Sequence, residues 1–458
     1  MNTEQIMSKA ESLFFVGIGG VSMSSLAFVC RELGYTVSGS DRAYSAMTER
    51  LESEGIAVIH KHEKENIEGA DAVVYTGAVS MDNPELSAAA EKEIPLIYRA
   101  DLLGYLMKSY THRVGVAGMH GKSTCTSMIS HMFLASGRKP TVLSGAETAE
   151  MGGAYTIGEK EYFIFEACEY KDSFLRFFPS VSVLLNLDLD HTDYFTGGIP
   201  QIQRSFGAYG KLPYASDSPV QLTVANADDE NLMAALSDIP LLTFGIEADA
   251  DFAAGNIEMK KGRASFCIYK KGEFFTDVQL SVPGYHNIYN ALAAAAVGDA
   301  LGLCAQEIAQ TLSSFTGLLR RFEYKGDLGG ASVYIDYAHH PKEIHATVRA
   351  AKEMTEGKLL CFFEPHTYSR TAALFSEFSE AFDGADAVYY LDIYAAREDN
   401  IFGVSSAALA NATKNGAYVP SYEDAVNIIL SQAAKDDTIL ILGAGTVNRI
   451  ADMLFEKH

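Results

Sequence analysis

The sequence contains no tryptophan, and its cysteines are few and scattered, with no Cys-x-x-Cys pair. This spacing argues against a disulfide framework or a cysteine zinc site, and favours reduced thiols in a cytoplasmic protein. The six cysteines are Cys30, Cys125, Cys168, Cys267, Cys304 and Cys361.

Long apolar runs are also missing. A membrane-spanning helix needs about 20 consecutive apolar residues, and the longest candidate, ALAAAAVGDALGL, is interrupted by Gly298 and Asp299. The first residues, MNTEQIMSKAES, are polar and lack the apolar centre of a secretory signal. We therefore expect no membrane insertion and a cytoplasmic location.

Positively charged residues are few: the chain has 36 Lys and Arg residues and 59 Asp and Glu residues, which gives a net charge of −23. Such a balance argues against broad nucleic-acid binding or attraction to anionic membranes. It leaves a small anionic substrate possible, because local loops hold phosphates. With 458 residues and 48% apolar content, the chain is expected to form about three globular domains.

A phosphate-binding loop is predicted in RVGVAGMHGKST, residues 113–124. A short apolar strand leads into glycines that let backbone N–H groups approach phosphate oxygens, and a helix follows from Lys122. Lys122 can reach the outer phosphates, and Ser123 or Thr124 can supply a hydroxyl to the magnesium that accompanies ATP. Val116 stands where a Walker A loop has its first glycine, so the match is to a shorter form. The alternative is a chance glycine turn before a helix.

A second nucleotide signal lies near the N-terminus. A strand at Leu13 to Val16 is followed by Gly17-Ile-Gly19-Gly20 and a helix, and the next strand ends at Asp41. This order resembles the first β-α-β unit of a dinucleotide fold, with an acid placed to meet a ribose. Ser22 replaces the third glycine, so a nucleotide diphosphate is as good a ligand as NAD. Five strands with crossover helices predict a parallel, doubly wound domain of about 100 residues.

Polar residues follow two apolar strands after the phosphate loop. The first strand ends in Glu166, and the second runs into NLDLDHTD, which contains His191. Ligands collect at the carboxyl ends of strands in such sheets, so both side chains are expected near Lys122. A carboxylate there can hold magnesium. An exposed acid at a strand end and a histidine that caps a loop are the plain alternatives.

Two later clusters carry further polar groups. Asn287 and Asn290 share one face of an alanine-rich helix and can pair with adenine, although helix capping is the slightly favoured alternative for Asn287. LLRRFE marks the passage to a third domain, in which polar groups again follow strand ends, in DYAHHPKE and EPHTYSRT. Residues 215–282 show strand-like alternation without recognisable chemistry.

Together these motifs resemble the Mur ligase family. The resemblance covers the whole chain, in the order FVGIGGVSMSSLA, SGSD, GMHGKST, FEACEYKDSFL, NLDLDHTDYF, HNIYNALAA, RRFE, DYAHHPKE, EPHTYSRT and DIYAAREDN. Met119 and Ser123 each replace a usual threonine, Cys168 replaces a frequent Asp, and Thr446 replaces a common Asp. Only the last change puts the role of an acid in doubt.

The resemblance implies an ATP-dependent ligase of peptidoglycan synthesis that joins L-alanine to the lactyl carboxylate of UDP-N-acetylmuramate through an acyl phosphate. It implies three α/β domains: a Rossmann-like UDP-sugar domain at 1–108, a mostly parallel P-loop domain for ATP at 109–317, and a Rossmann-like ligase domain at 318–458. The expected cofactors are ATP and Mg²⁺, and the chain is expected to be a monomer or homodimer.

Family likeness also assigns residues to roles. The catalytic residues are Lys122, Glu166, His191 and Arg370, and the metal ligands are Ser123, Glu166 and His191. UDP-sugar binding falls to Gly17, Gly19, Gly20 and Asp41, and amino-acid binding falls to His340 and Arg370. ATP binding falls to Gly118, Met119, His120, Gly121, Lys122, Ser123, Thr124, Asn287, Asn290, Arg321 and Asp336.

Three rival functions remain open at this point. A sister ligase that attaches a preformed peptide to the same sugar nucleotide uses nearly the same motifs. A nicotinamide oxidoreductase leaves Lys122, Glu166 and Arg370 without a purpose. A non-catalytic nucleotide-binding protein is expected to have lost the loop lysine or the acid, and both are present.

Overall fold

The computed structural model describes residues 2–148, 150–151, 153–189, 191, 194–260, 262–396 and 398–456. The chain divides into two compact units. The first unit comprises Met1–Asn256, Phe266–Val278 and Ile288–Phe315. The second comprises Ile257–Ser265, Gln279–Asn287 and Thr316–His458.

A five-stranded sheet begins the first unit. Its strands are β1 (Ser12–Val16), β2 (Thr36–Ser40), β3 (Ala57–Ile59), β4 (Ala72–Tyr75) and β5 (Leu96–Tyr98). They are ordered β3-β2-β1-β4-β5, and every pair is parallel. The accompanying helices are α1 (Thr3–Met7), α2 (Val21–Glu32), α3 (Ala46–Ser53), α4 (Pro84–Glu91) and α5 (Arg99–Met107). The predicted doubly wound arrangement is confirmed.

The sequence of β1 explains why helices cover this sheet on both sides. Phe14 and Phe15 are adjacent, so their side chains point to opposite faces of the strand. Both are buried, and they enter two separate apolar clusters. A continuous apolar run is therefore typical of a parallel strand that is buried on both faces.

A ten-stranded sheet follows. Its strands are β6 (His112–Ala117), β7 (Thr141–Thr148), β8 (Gly153–Thr156), β9 (Tyr162–Glu166), β10 (Val181–Leu184), β11 (Leu222–Asn226), β12 (Leu242–Gly245), β13 (Phe252–Lys260), β14 (Arg263–Lys270) and β15 (Glu273–Pro283). The order is β15-β14-β13-β12-β11-β10-β6-β9-β7-β8. The strand-like alternation noted in residues 215–282 corresponds to β11–β15.

The helices of this region are α6 (Lys122–Ala135), α7 (Ile199–Lys211), α8 (Glu230–Ala235), α9 (His286–Ala300) and α10 (Ala305–Ser314). Two 3₁₀ helices lie at Tyr170–Arg176 and Leu212–Ala215.

Three parallel neighbours at the centre of this sheet, β10, β6 and β9, place the polar residues that follow them. Val116 pairs with Glu166, and Ala117 pairs with Leu184. The register brings the carboxyl ends of the three strands to one edge of the sheet. Gly115 in β6 has no room for a side chain, because an added Cβ would meet the Tyr209 hydroxyl and the Phe165 ring.

The second unit contains a six-stranded sheet. Its strands are β16 (Glu323–Leu328), β17 (Ala331–Asp336), β18 (Leu359–Phe363), β19 (Ala387–Tyr390), β20 (Gly416–Tyr418) and β21 (Thr438–Leu442). They are ordered β16-β17-β21-β18-β19-β20, and only the β16–β17 pair is antiparallel. The helices are α11 (Pro341–Met354), α12 (Tyr368–Ala373), α13 (Phe375–Glu380), α14 (Ser406–Ala412), α15 (Tyr422–Gln432) and α16 (Arg449–Glu456).

The three sheets confirm the predicted α/β class with mostly parallel strands. Within the described residues, no helix is long and apolar enough to cross a membrane.

Candidate functional site

The turn between β6 and α6 is fixed by Asn186, which lies just beyond β10. The Asn186 side chain accepts a hydrogen bond from the His120 amide at 2.8 Å and donates one to the His120 carbonyl at 2.9 Å. Gly121 is the N-cap of α6 with φ at 82°, a left-handed conformation that glycine adopts without strain. Met119 is 6% exposed and packs in the apolar core. The predicted strand–turn–helix layout is therefore present, and the turn is held by a side chain that we did not predict; phosphate binding stays a prediction.

Lys122, the first residue of α6, folds back over this turn. Its Nζ donates to the Gly118 carbonyl at 2.6 Å, and it lies 3.0 Å from both carboxylate oxygens of Glu169. The side chain of Glu169 is 1% exposed and that of Lys122 is 14% exposed. A charge pair this deeply buried depends on both members, because either one alone is left uncompensated away from water.

Glu169 also contacts His191. The Nε2 atom of His191 lies 3.1 Å from Oε1 of Glu169, so one buried carboxylate joins the phosphate-loop lysine to the predicted histidine. Sequence reasoning assigned Glu166 from the motif FEACEYKDSFL and missed Glu169. The available signal was a second acid three residues beyond the end of β9, at the same sheet edge as Lys122.

Ser123 and Glu166 form a second contact beside this pair. The Ser123 hydroxyl donates to Oε2 of Glu166 at 2.8 Å, and the Gly145 amide donates to the same oxygen at 3.0 Å. The structure thus brings two of the three predicted metal ligands together, while the third, His191, is paired with Glu169. No group of three or more His, Cys, Asp or Glu residues within the described ranges could hold a metal ion.

Backbone strain is concentrated around the same carboxylate. Lys171, Asp172 and His191 have φ values of 54°, 53° and 48°, which side-chain-bearing residues rarely adopt. The Tyr194 hydroxyl donates to Asp172 at 2.6 Å, and the Tyr170 ring packs 4.9 Å from the His191 ring. Strained residues persist where surrounding contacts fix them, and they are typical of functional sites.

The two predicted adenine ligands lie near the start of α9 and are both buried. In the first unit, an added Cβ on Gly121 would lie 3.0 Å from Oδ1 of Asn290, so this side chain sits against the phosphate loop. In the second unit, the Asn287 amide donates to the Pro283 carbonyl at 2.7 Å. An N-cap side chain accepts from a backbone N–H, so this donated bond does not decide between capping and adenine binding, and both stay predictions.

At the edge of the five-stranded sheet, Asp41 organises the glycine turn. One carboxylate oxygen accepts from the Gly19 amide at 3.0 Å, and the other accepts from the Ala43 amide at 2.9 Å. An added Cβ on Gly19 would lie 2.8 Å from Asp41 and 2.9 Å from Thr48. Gly17, with φ at 78°, begins the turn, and Gly20 is the N-cap of α2. Asp41 therefore shapes this loop, and contact with a ribose remains a prediction.

The same edge contains a buried network that sequence reasoning missed. Glu85, fully buried at the start of α4, accepts from the Ser40 hydroxyl at 2.8 Å and from an Asn66 amide at 2.7 Å. The Nδ1 atom of His62 lies 2.7 Å from the same carboxylate. These contacts tie the end of β2, the loop after β3 and the start of α4 into one rigid corner.

Asp336 plays a similar organising role in the second unit. Its carboxylate accepts from the Phe322 amide and from the Ala338 amide, both at 2.7 Å. Burial raises the pKa of Asp336, although both amides act in the opposite direction. The guanidinium of Arg321 lies over the Tyr337 ring at 5.6 Å. The predicted ATP residues Arg321 and Asp336 thus belong to one loop junction.

Arg370, in α12, is half-buried. Its Nη1 atom is buried and makes no hydrogen bond within the described part of the chain. Glu398 fixes the start of the helix, because its carboxylate accepts from the Ser369 amide at 2.7 Å and from the Ser369 hydroxyl at 2.5 Å. A surface arginine at this position would be expected to pair with Glu377 or Glu380, and no such ion pair occurs among the described residues. A buried unpaired guanidinium nitrogen is costly unless an anion binds there.

Two histidines lie next to Arg370. The rings of His339 and His366 are 6.0 Å apart, and His366 stacks on Tyr394 at 5.6 Å. Burial lowers the pKa of both histidines, and the charge of Arg370 acts in the same direction. Both rings are therefore neutral at neutral pH, where a neutral imidazole can accept a proton.

His340, the predicted amino-acid ligand, is the N-cap of α11, and its contact with an amino acid stays a prediction. Its Nδ1 accepts from the Lys342 amide at 3.4 Å, and Glu343 accepts from the backbone amides of both His339 and His340. The capping box turns the side chain of His340 to the helix and leaves its neighbour, His339, beside His366. Sequence alone does not distinguish the two adjacent histidines.

Family models match most of the chain. The Mur ligase family, catalytic domain model matches residues 13–111, and the Mur ligase middle domain model matches residues 116–298. The Mur ligase, glutamate ligase domain model matches residues 320–445.

Curated relatives match over nearly their full length. The UDP-N-acetylmuramate–L-alanine ligase of Caldanaerobacter subterraneus subsp. tengcongensis is 44% identical over 99% of both chains. The enzyme of the same name from Clostridium beijerinckii is 44% identical over 98% of both chains.

Solved structures agree in fold. The UDP-N-acetylmuramate-alanine ligase of Thermotoga maritima superposes with a TM-score of 0.79 at 26% identity, covering 97% of this chain and 98% of that one. A murein peptide ligase from Psychrobacter arcticus superposes with a TM-score of 0.66 over the same shares of the two chains. Because the sequence identity to this second structure is only 22%, the comparison shows a shared fold and nothing about function.

Proposed function

The chain belongs to the Mur ligase family, and from this membership we propose that it is an ATP-dependent ligase of peptidoglycan precursor synthesis that joins L-alanine to UDP-N-acetylmuramate. The observation that carries the proposal is the 44% identity to alanine-adding ligases along 99% of the chain. The buried Arg370 nitrogen and the Lys122 loop supply the charges that an amino-acid carboxylate and a triphosphate require.

The reaction starts with a carboxylate that cannot form an amide until it is activated. The lactyl carboxylate of the sugar nucleotide attacks the γ-phosphorus of ATP, giving an acyl phosphate and ADP. Lys122 stabilises the charge that spreads over the transferred group, a contribution of about 10²-fold or more for single electrostatic donors. Magnesium, when bound with ATP, neutralises phosphate oxygens in the same step.

Ser123 and Glu166 suit magnesium because both offer oxygen atoms, the ligands that this ion prefers. The Ser123 hydroxyl oxygen lies 2.8 Å from Oε2 of Glu166 at the phosphate loop. We place His191 among the ligands on family likeness, and its contact with Glu169 orients the ring. Since the described protein ligands do not form a complete metal cluster, phosphate oxygens and water would complete the coordination.

Glu169 has a distinct role in this proposal. Its carboxylate lies 3.0 Å from Nζ of Lys122 and holds the lysine side chain over the turn before ATP binds. When phosphate arrives, one lysine donor moves to it and the others stay on the Gly118 carbonyl and Glu169. Glu169 is thereby a positioning residue for both Lys122 and His191.

Nucleotide and sugar contacts follow the family pattern. We assign the diphosphate of the UDP-sugar to the glycine turn at residues 17–20 and adenine to Asn287 and Asn290. Arg321 and Asp336 are assigned to ATP, and Arg370 is assigned to the alanine carboxylate. The proposed domain boundaries are 1–108, 109–317 and 318–458, and the proposed setting is the cytoplasm, as a monomer or homodimer.

The second step joins the alanine amine to the activated carbon. The amine attacks the acyl phosphate, the C–N bond forms, and the C–O bond to phosphate breaks. Arg370 suits the alanine carboxylate because a guanidinium can make two parallel hydrogen bonds to it.

Phosphate release in the presence of ATP, magnesium and UDP-N-acetylmuramate tests the proposal. Alanine should support turnover, and the tripeptide L-alanyl-γ-D-glutamyl-meso-diaminopimelate should not. Turnover with the tripeptide alone would favour a peptide ligase, the activity named for a Neisseria meningitides structure that superposes with a TM-score of 0.61 at 27% identity, covering 68% of this chain. Binding of NADH without UDP-sugar binding would favour an oxidoreductase.

A further inference from the structure

His339 combines the features of a proton acceptor in the second unit. Its Nδ1 atom lies 3.1 Å from the Tyr337 carbonyl oxygen. A carbonyl has no hydrogen to give, so Nδ1 carries the N–H and donates it. In the neutral ring the available lone pair is then on Nε2. A general base needs such a nitrogen, unprotonated and able to accept a proton.

A carboxylate lies close to the same nitrogen. Oε2 of Glu343 lies 3.4 Å from Nδ1 of His339, and this oxygen also accepts from the His339 amide at 3.1 Å. A carboxylate in this position stabilises the imidazolium that forms when Nε2 takes a proton, and it holds the ring in one orientation. The helix cap of α11 therefore also supports the imidazole.

The charged groups around His339 set its protonation. Burial lowers the pKa of His339, Arg370 and Arg321 act in the same direction, and Glu343 and the Tyr337 carbonyl act against it. His366 faces it from the loop after β18 and has a lowered pKa of its own. A pKa below the ordinary value keeps the ring neutral, and able to accept a proton, from neutral pH down into mildly acidic solution.

We propose that His339 is the general base that deprotonates the amino group of the incoming amino acid, with Arg370 holding its carboxylate and Glu343 orienting the imidazole. This inference rests on the proposed ligase function and assigns a catalytic role that the sequence motifs had given to no residue. An amino acid in solution is largely an ammonium ion at neutral pH, and an ammonium nitrogen has no lone pair with which to attack a carbonyl.

The proton balance is as follows. The ammonium N–H bond breaks, Nε2 of His339 gains the hydrogen, and the free amine attacks the acyl phosphate. The C–N bond forms as phosphate leaves with the electron pair of the broken C–O bond. A second amine hydrogen leaves with the phosphate, the third remains on the amide, and His339 releases its hydrogen to solvent.

A comparison of two nucleophiles tests this role. Hydroxylamine is largely unprotonated at neutral pH and needs no base, whereas alanine does. His339→Gln should lower alanine-dependent turnover at neutral pH by about 10²-fold, a typical contribution of a general base. Hydroxamate formation from the same acyl phosphate should remain near that of the unaltered protein.

The pH dependence separates this role from a structural one. In His339→Gln, alanine turnover should rise about tenfold per pH unit as free amine accumulates below the pKa of the amino group. Glu343→Gln keeps a capping side chain but removes its charge, and should give a smaller loss in the same direction. His345→Gln, an exposed histidine of α11, is the matched control and should leave the pH profile unchanged.

Equal losses with alanine and hydroxylamine, or a pH profile in His339→Gln parallel to that of the unaltered protein, would overturn the proposal. If the variant does not fold, the unaltered protein still decides the question. Its alanine reaction should lose rate at acidic pH where the hydroxylamine reaction does not, and matching acidic limbs would contradict the role. Absence of any alanine turnover in the unaltered protein would instead contradict the proposed function.

Discussion

Glu169 holds Lys122 in place: the buried carboxylate lies 3.0 Å from the lysine Nζ atom, beside the Gly118 carbonyl that accepts from the same ammonium. This contact joins the phosphate loop to the loop after β9. Because Glu169 is almost fully buried, removal of either partner leaves the other charge uncompensated away from water.

Lys122→Ala should nearly abolish acyl-phosphate formation, by about 10²-fold or more. It should also lower the free energy of unfolding by roughly 3 kcal/mol, because Glu169 loses its cationic partner. Hydroxamate trapping measures the first effect and urea denaturation the second. Lys122→Ala combined with Glu169→Gln should recover much of the stability and none of the activity. Activity close to the unaltered protein in either variant would remove the phosphate-loop assignment.

Replacement of Asp41 tests the glycine turn. Asp41→Ala removes the acceptor of the Gly19 and Ala43 amides, so the turn loses its fixed shape. We expect the KM for UDP-N-acetylmuramate to rise while the KM for ATP stays nearly constant, as steady-state kinetics can measure. Gly19→Val should have the same selectivity but also lower stability, since its side chain would collide with Asp41 and Thr48. An equal rise in both KM values would argue against a UDP-sugar site here.

Arg370→Lys should raise the KM for alanine about tenfold or more, given roughly 1.5–3 kcal/mol for a charge-assisted hydrogen bond. Lysine keeps the charge but lacks the paired donors of a guanidinium. Acyl-phosphate formation needs no amine and should survive, as hydroxylamine trapping can show. If alanine kinetics are unchanged, the carboxylate is held elsewhere, and Arg320 is the next residue to replace.

Glu398 should influence alanine binding indirectly. Its hydrogen bonds from Ser369 lower the pKa of Glu398, so the ionised carboxylate supports α12 above the ordinary glutamate pKa. This support is lost as pH falls through the lowered folded-state value. Glu398→Ala should raise the KM for alanine at neutral pH, with Glu398→Gln intermediate. Normal alanine kinetics in Glu398→Ala would mean that Arg370 is positioned without it.

The sequence predicts the positions of those site residues that lie at the carboxyl ends of parallel strands. Glu166, His191 and Lys122 were expected at one edge because parallel strands bring their carboxyl ends together, and the pairing of Val116 with Glu166 provides that edge. The arrangement of β1–β5 followed from apolar runs separated by glycine turns.

Other contacts depend on three-dimensional detail that periodicity does not contain. Whether Glu166 or Glu169 meets Lys122 depends on the loop after β9, where Lys171 and Asp172 adopt left-handed conformations. His339 and His340 are equivalent in sequence, and the helix cap, which uses the His340 ring, leaves the His339 ring beside His366. The clamp from Asn186 to His120 joins residues 66 positions apart.

The most direct test of the ligase account uses UDP-N-acetylmuramate labelled with ¹⁸O in its lactyl carboxylate. Incubation with ATP, magnesium and L-alanine should give ADP, the alanyl amide of the sugar nucleotide, and phosphate that carries one ¹⁸O from the carboxylate, as mass spectrometry can detect. Formation of AMP, unlabelled phosphate, or no alanyl product would contradict an alanine ligase that works through an acyl phosphate.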